Sequence, residues 1–311
     1  MRFIRRLSLR WADACLLTVL LAGCPQTSLG APVTFITALP VAENQLFTRF
    51  YWNSTFGSQS FMSYQLPFDL AYGLNARWTI FTTFNPLYAS IQAQTPSGQS
   101  TVSTGGFADT RVFARYTLFS RDTPKSTLRI APLAGLFLPS GSNTLSDSSP
   151  LFSAPIQITG SGSVDPYGGV AFGWNGPKYG LAADSTFRHN AVAHAGFTPG
   201  DQFRVDGQSE LRLYPMTLPD SGLPKELWLS VEENYRHDSL SHLADQVAPG
   251  SGGSSFYEDT ILEYATLHFE IGAGLQVPVM LDLNSPDDVR EKRRVLFFTE
   301  YYFSGFSRHR Q

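Results

Sequence analysis

Few residues of this 311-residue chain are spaced for chemistry, and each such spacing has a plainer reading beside it. His237 and Ser239 stand two apart, which puts both on one face of an extended strand. There a histidine could activate a serine hydroxyl for attack on an ester. A solvated polar loop accounts for the same residues, because Leu240 and Ser241 follow directly. His189 and His194, like His237 and His242, lie five apart. That interval matches neither strand nor helix spacing for a pair of metal ligands, so they read as exposed loop histidines. Both cysteines, Cys15 and Cys24, fall within residues 1–30, which leaves the rest of the chain without a thiol for catalysis, metal or disulfide. No catalytic residue, no metal site and no cofactor is expected from these patterns.

The charged residues are better ordered. Arg49, Asp109, Arg111, Arg115, Arg129, Asp184, Arg188, Arg204, Asp206, Glu210, Arg212, Glu232 and Arg236 recur at alternate positions in segments whose other positions are apolar. Side chains of a strand alternate between faces, so these segments have one charged and one greasy side. In a soluble sandwich the charged side would face water. In a transmembrane barrel it lines the lumen and the greasy side meets lipid. These thirteen residues are the candidate lumen lining. Two uses of them stay open: charges on neighbouring strands pair across the wall, or they tune permeation where water passes between them.

The elements that would position them are all strands. The organising stretch runs from Gly105 to Gly141, where Thr110, Val112, Ala114, Tyr116 and Leu118 oppose Asp109, Arg111, Phe113 and Arg115, and a turn at Ser120–Ser126 leads into Leu128–Leu138. Leu46–Ser54, Met62–Leu74 and Trp78–Phe84 precede it, and Thr37–Asn44 reads as an ordered lead-in. Tyr167–Trp174, Tyr179–His189, a strand around Phe203–Leu213, another around Leu227–Arg236, and Val295–Phe303 follow. In the strand around Leu227–Arg236, Glu233 breaks the pattern, placed either at the rim or by a bulge. Thr260–Val279 is about twice the roughly 9–11 residues of one membrane-spanning strand. Eleven segments are visible, bacterial single-chain barrels are normally even, and a twelfth strand inside Thr260–Val279 is expected, with ten strands as the alternative. Tight turns follow Leu74, Phe119 and Asn175, whereas long polar loops follow Phe84, Leu138 and His189. This sorting is that of outer-membrane barrels, as are the aromatics near segment ends. Within Met62–Leu74 the even-numbered face is expected to meet lipid.

Composition sets the limits. Charged residues are 16% of the chain, aromatics 14%, and the net charge is −3, which gives no case for nucleic acid as a partner. Arg2, Arg5, Arg6 and Arg10 precede a short apolar run, Leu16–Ala22, so residues 1–30 read as a signal peptide rather than an anchor. Two cleavage readings remain open. Leu21-Ala22-Gly23-Cys24 resembles a lipobox, which would end the signal at 23 and make Cys24 a lipidation site; Ser28-Leu29-Gly30 offers an ordinary peptidase site. Residues 31–311 form a single barrel domain in this reading, with outer-membrane lipid and the barrel-assembly machinery as partners.

Leu66-Pro67-Phe68-Asp69-Leu70-Ala71-Tyr72-Gly73-Leu74-Asn75, then Gly106-Phe107-Ala108-Asp109 with Arg115-Tyr116-Thr117-Leu118, then Leu138-Pro139-Ser140-Gly141, resemble the outer-membrane barrels associated with the meta-pathway of phenol degradation. Ala38-Leu39-Pro40-Val41 and Gly274-Leu275-Gln276 fit the same layout. The chain departs from the family at Ala108, where glycine is usual, and at Ser307–Gln311, which follow the last aromatics in place of a terminal Phe. The resemblance implies a porin-like transport barrel in a Gram-negative outer membrane that passes small hydrophobic or aromatic compounds, and it names no substrate. Two alternatives stand beside that channel: a closed structural or binding barrel, and a lipid-acting barrel enzyme built on His237 and Ser239. The Asn-Gly that follows the His-x-Ser of outer-membrane phospholipases is absent here.

Overall fold

The computed structural model describes residues 34–58, 61–92, 102–141, 160–191, 197–218, 225–243, 246–266, 268–284 and 291–303. Residues 1–30, expected to be a signal peptide and including Cys24, lie outside them, as do Ser307–Gln311. Twelve antiparallel strands form the wall: β1 (Leu46–Gly57), β2 (Met62–Gln65 and Phe68–Gly73), β3 (Trp78–Phe84, continued by Tyr88–Gln92), β4 (Val102–Gly106 and Thr110–Tyr116), β5 (Ser126–Leu138), β6 (Asp165–Asn175), β7 (Tyr179–Arg188), β8 (Gln202–Tyr214), β9 (Glu226–Asp238), β10 (Gly253–Ala265), β11 (Phe269–Leu283) and β12 (Glu291–Phe303). Each pairs with its neighbours in sequence. β12 returns to pair with β1 from Phe303↔Leu46 to Glu291↔Gly57, which closes the sheet. Closure leaves no unpaired edge, the condition a sheet must meet to sit in hydrocarbon.

The pleat sorts the side chains as the sequence pattern requires. Val170, Phe172, Leu181 and Phe187 are exposed on the outside, while their neighbours Ala171, Ala182 and Asp184 are buried inside. So large an apolar exterior calls for a lipid environment. Tyr72, Trp78, Tyr116, Trp174, Tyr179, Tyr264 and Tyr301 gather where the strands meet their short turns, as interfacial aromatics do. Short turns join β2–β3, β6–β7 and β10–β11 at one end. The connections β5–β6, β7–β8 and β9–β10 at the other end are long, and one small three-stranded sheet (Phe197–Thr198, His242–Leu243, Gln246–Val247) lies within them.

The overlong run Thr260–Val279 does hold the twelfth strand: β10 ends at Ala265 and β11 begins at Phe269. Elsewhere the boundaries shift. Met62–Leu74 is interrupted at Leu66 and Pro67, because proline has no N–H for the ladder. Pro67 O still accepts from Tyr51 N at 3.0 Å, and the register with β1 is the same on both sides of the gap. The last strand starts at Glu291 rather than Val295, β9 runs past Arg236 to Asp238, and β10 begins at Gly253 rather than Thr260. Glu233 is not moved by a bulge: it pairs in unbroken register with Gly207 and Glu258, and by alternation it sits on the outer face. The lead-in before β1 has a place that its sequence does not mark: residues 34–44 run inside the barrel.

Candidate functional site

The segment Thr34–Asn44 occupies the lumen from mid-height to the short-turn end. It turns into β1 at Asn44, whose φ is 60°. Asn44 N donates to Gly73 O at 2.8 Å and Gln45 N to Ala42 O at 3.0 Å. The segment passes so close to β2 that a Cβ on Gly73 would stand 2.1 Å from Ala42 O, so only glycine fits there.

Two opposite walls hold the segment by its backbone. On β4, the Arg115 guanidinium donates from Nη1 to Thr37 O and from Nη2 to Leu39 O. On β7, Asp184 Oδ2 accepts from Ile36 N at 2.9 Å. On β9, Glu232 Oε2 accepts from Thr34 N at 3.1 Å, and the Thr34 hydroxyl reaches both Glu232 and Asn234 Oδ1. Cations thus face the carbonyls and carboxylates face the N–H groups, the charge-assisted arrangement that binds a peptide backbone best.

Apolar contacts complete the plug. Ile36 and Ala38 pack with Phe113, Ala131, Leu133, Tyr167 and Ala171 of β4–β6, with Phe81 and Phe137 alongside. Val41 packs with Phe47 and Ala71. Phe81 and Phe113 stack with centroids 4.7 Å apart and planes 2° apart, and Phe137 meets Tyr167 edge-on at 5.5 Å. Burying this much apolar surface is what makes a lumenal segment of this length stay.

The structure places the thirteen candidates as follows. Arg49 pairs with Glu300, Arg188 with Asp165, Arg204 with Asp206 at 3.2 Å, and Arg212 with Glu226 at 3.1 Å, all on the inner face. Arg115, Asp184 and Glu232 hold the plug, and Arg204 Nη2 lies 3.5 Å from Thr34 O. Arg111 donates to Thr83 Oγ1 at 3.0 Å. Glu210 lies buried on β8 against β7, where a Cβ on Gly180 would meet it. Three candidates sit at the ends instead. Asp109 lies between the two parts of β4, where its carboxylate accepts from Gly141 N and from Ser161 N and Oγ, tying the long loops together. Arg129 pairs with the exposed Asp122 of Phe119–Thr123, a hairpin extension at the short-turn end. Arg236 is half exposed and pairs with Asp238.

Sequence reading passed over the acidic wall of β10–β12. Asp259, Glu263, Glu270 and Glu300 are all buried there. Asp259 Oδ2 accepts from Asn234 Nδ2 at 2.9 Å and Gln276 Nε2 at 2.8 Å, and Glu263 Oε1 from Ser230 Oγ at 2.7 Å. Strict alternation with Ile261, Leu296 and Phe298 inside obscured the signal, since apolar residues share the inner face. The proposed His237–Ser239 pair does not form as such. His237 Nδ1 meets Ser254 Oγ at 2.9 Å, while Ser239 Oγ accepts from Asp201 N at 2.7 Å. No group of metal-ligating side chains able to hold an ion occurs among the described residues.

No family model matches the chain, and no curated protein matches it. Solved structures do. The COG4313 outer membrane channel from Pseudomonas putida F1 superposes with a TM-score of 0.60 at 13% identity, covering 88% of this chain and all (100%) of that one. The chain has the fold of that outer-membrane channel. NanC porin (TM-score 0.47, 10% identity, 82% and 98% covered) and the beta domain of the Bordetella autotransporter BrkA (0.44, 9%, 84% and 100%) are likenesses too remote to build on.

Proposed function

We propose that the chain is an outer-membrane channel whose lumen is closed by residues 34–44 and opens when that segment is displaced. The observation that carries this is the segment itself: it is bound inside the wall by Arg115, Asp184 and Glu232, and apart from one bridge between Glu43 and Gly73 it makes no ladder with the sheet. A structural barrel has no need of a separate segment held inside it. The fold shared with an outer-membrane channel supports the reading, and the Leu66–Asn75 and Gly106–Asp109 motifs favour the barrels associated with the meta-pathway of phenol degradation. Small hydrophobic or aromatic compounds are the proposed cargo, since the lumen under the plug is faced by Phe81, Phe113, Phe137 and Tyr167. Export by the signal peptide in residues 1–30 and assembly into lipid by the barrel-assembly machinery complete the proposal, with lipidation at Cys24 as one of its two cleavage variants.

The test is single-channel conductance in planar bilayers, comparing the mature chain with a variant lacking residues 34–41. The variant should show a larger and steadier open conductance. A second reading, a closed structural barrel, is favoured by the buried pairs Arg49–Glu300, Arg188–Asp165 and Arg212–Glu226. An unchanged, near-zero conductance after the deletion would select it.

A further inference from the structure

Arg115 differs from the other buried arginines of the lumen. It is 1% exposed, yet among the described residues no carboxylate pairs with it. Its hydrogen bonds go to two neutral carbonyls, Thr37 O and Leu39 O, and its Nε has no partner. Its guanidinium lies 4.7 Å over the Phe81 ring. Arg111, four residues earlier on the same face, also has no carboxylate partner among the described residues and lies 5.1 Å from the Phe113 centroid. By contrast Arg49, Arg188, Arg204 and Arg212 are each neutralised by a neighbour on the wall. A buried unpaired guanidinium such as that of Arg115 is costly, and a wall that supplies carboxylates to Arg49, Arg188, Arg204 and Arg212 leaves Arg115 and the half-buried Arg111 without one among the described residues.

We propose that β4 and its neighbours form a binding site for an aryl carboxylate, and that this ligand opens the channel by taking the place of residues 36–39. The footprints correspond. The two oxygens of a carboxylate match the fork of Arg115 that Thr37 O and Leu39 O now fill, with bonds strengthened by charge. The aromatic ring replaces Ile36 and Ala38 against Phe81, Phe113 and Tyr167, where stacked and edge-on partners are already set. Neither half suffices alone: acetate would satisfy Arg115 but leave the aromatic wall bare, and benzyl alcohol would cover the wall but leave the charge with neutral partners. The site rests on the plugged-channel reading for its consequence, though not for its chemistry.

The experiment places a single cysteine at Ile36→Cys in the mature chain, which has no other free thiol, and follows labelling by a membrane-impermeant maleimide in proteoliposomes. Exchanging neutral for charge-assisted hydrogen bonds should raise the labelling rate with benzoate about tenfold, the factor that ~1.4 kcal/mol of preference gives. Acetate and benzyl alcohol at equal concentration should leave it unchanged. In Ile36→Cys combined with Arg115→Gln, the resting rate should rise and the benzoate response vanish. Equal acceleration by benzyl alcohol, no acceleration by benzoate, or a benzoate response that survives Arg115→Gln would each overturn the proposal. The three-ligand comparison needs only Ile36→Cys, so a poorly folding Arg115→Gln does not rescue the proposal. Deletion of 34–41 reports separately on whether the plug closes a channel, so a failed ligand response with an opened deletion variant defeats this site alone.

Discussion

Arg212 is wholly buried on β8 and its carboxylate partner, Glu226, also accepts from Trp228 Nε1 at 3.0 Å. Removing one member of such a pair leaves the other charged and unsatisfied, which costs about 3–5 kcal/mol, whereas removing both is far milder. Arg212→Gln should therefore lower the temperature at which the folded band converts to the unfolded one on mild-detergent gels. The double variant with Glu226→Gln should recover most of that loss. Equal losses in the single and double variants would mean that the pair is not coupled. At this scale Arg49, Arg188, Arg204 and Arg212 each have a carboxylate beside them on the wall, and the two arginines of β4, which have none among the described residues, stand apart from them.

At the scale of the strand, β2 tests the assignment of faces. Although Pro67 interrupts it, its register with β1 does not slip, so even-numbered residues stay outside from Met62 to Tyr72. A slip of one would carry Asp69 into hydrocarbon and away from Tyr51, whose hydroxyl donates to it at 2.9 Å. An arginine on the lipid face at mid-membrane costs about 2–4 kcal/mol, while the inner face tolerates charge. Leu66→Arg should sharply reduce the amount of assembled barrel and Gln65→Arg should not, as read from the heat-modifiable band. A Gln65→Arg variant more damaged than Leu66→Arg would reverse the assignment.

For the whole molecule, twelve strands joined from β1 round to β12 make a cylinder in which unfolding must break a closed ring of ladders. That closure, with no cysteine after residue 24 to cross-link it, leads to a cooperative and heat-modifiable barrel. Mature protein should therefore fractionate with the outer membrane and migrate faster unheated than boiled. Recovery as a soluble periplasmic protein would contradict both the closure and the apolar exterior of Val170, Phe172 and Leu181.

The strands and their inner and outer faces follow from sequence because the pleat ties each residue's environment to its parity, and the twelfth strand is expected from the excess length of Thr260–Val279 and the even count of such barrels. Thr110–Leu118 and Phe203–Leu213 show that rule on both walls. What parity does not carry is which inner residues meet one another across the lumen. Phe81, Phe113 and Tyr167 look like breaks in a polar lining until Ile36 and Ala38 are found against them. Thr37–Asn44 looks like a lead-in because nothing local marks its destination. Thr37 and Leu39 accept from Arg115, 78 and 76 residues away, and just before them Ile36 and Thr34 donate to Asp184 and Glu232, 148 and 198 residues away. Such contacts exist only once the sheet has closed, so the local alternation specified the wall and the closed tertiary structure alone decided what fills it.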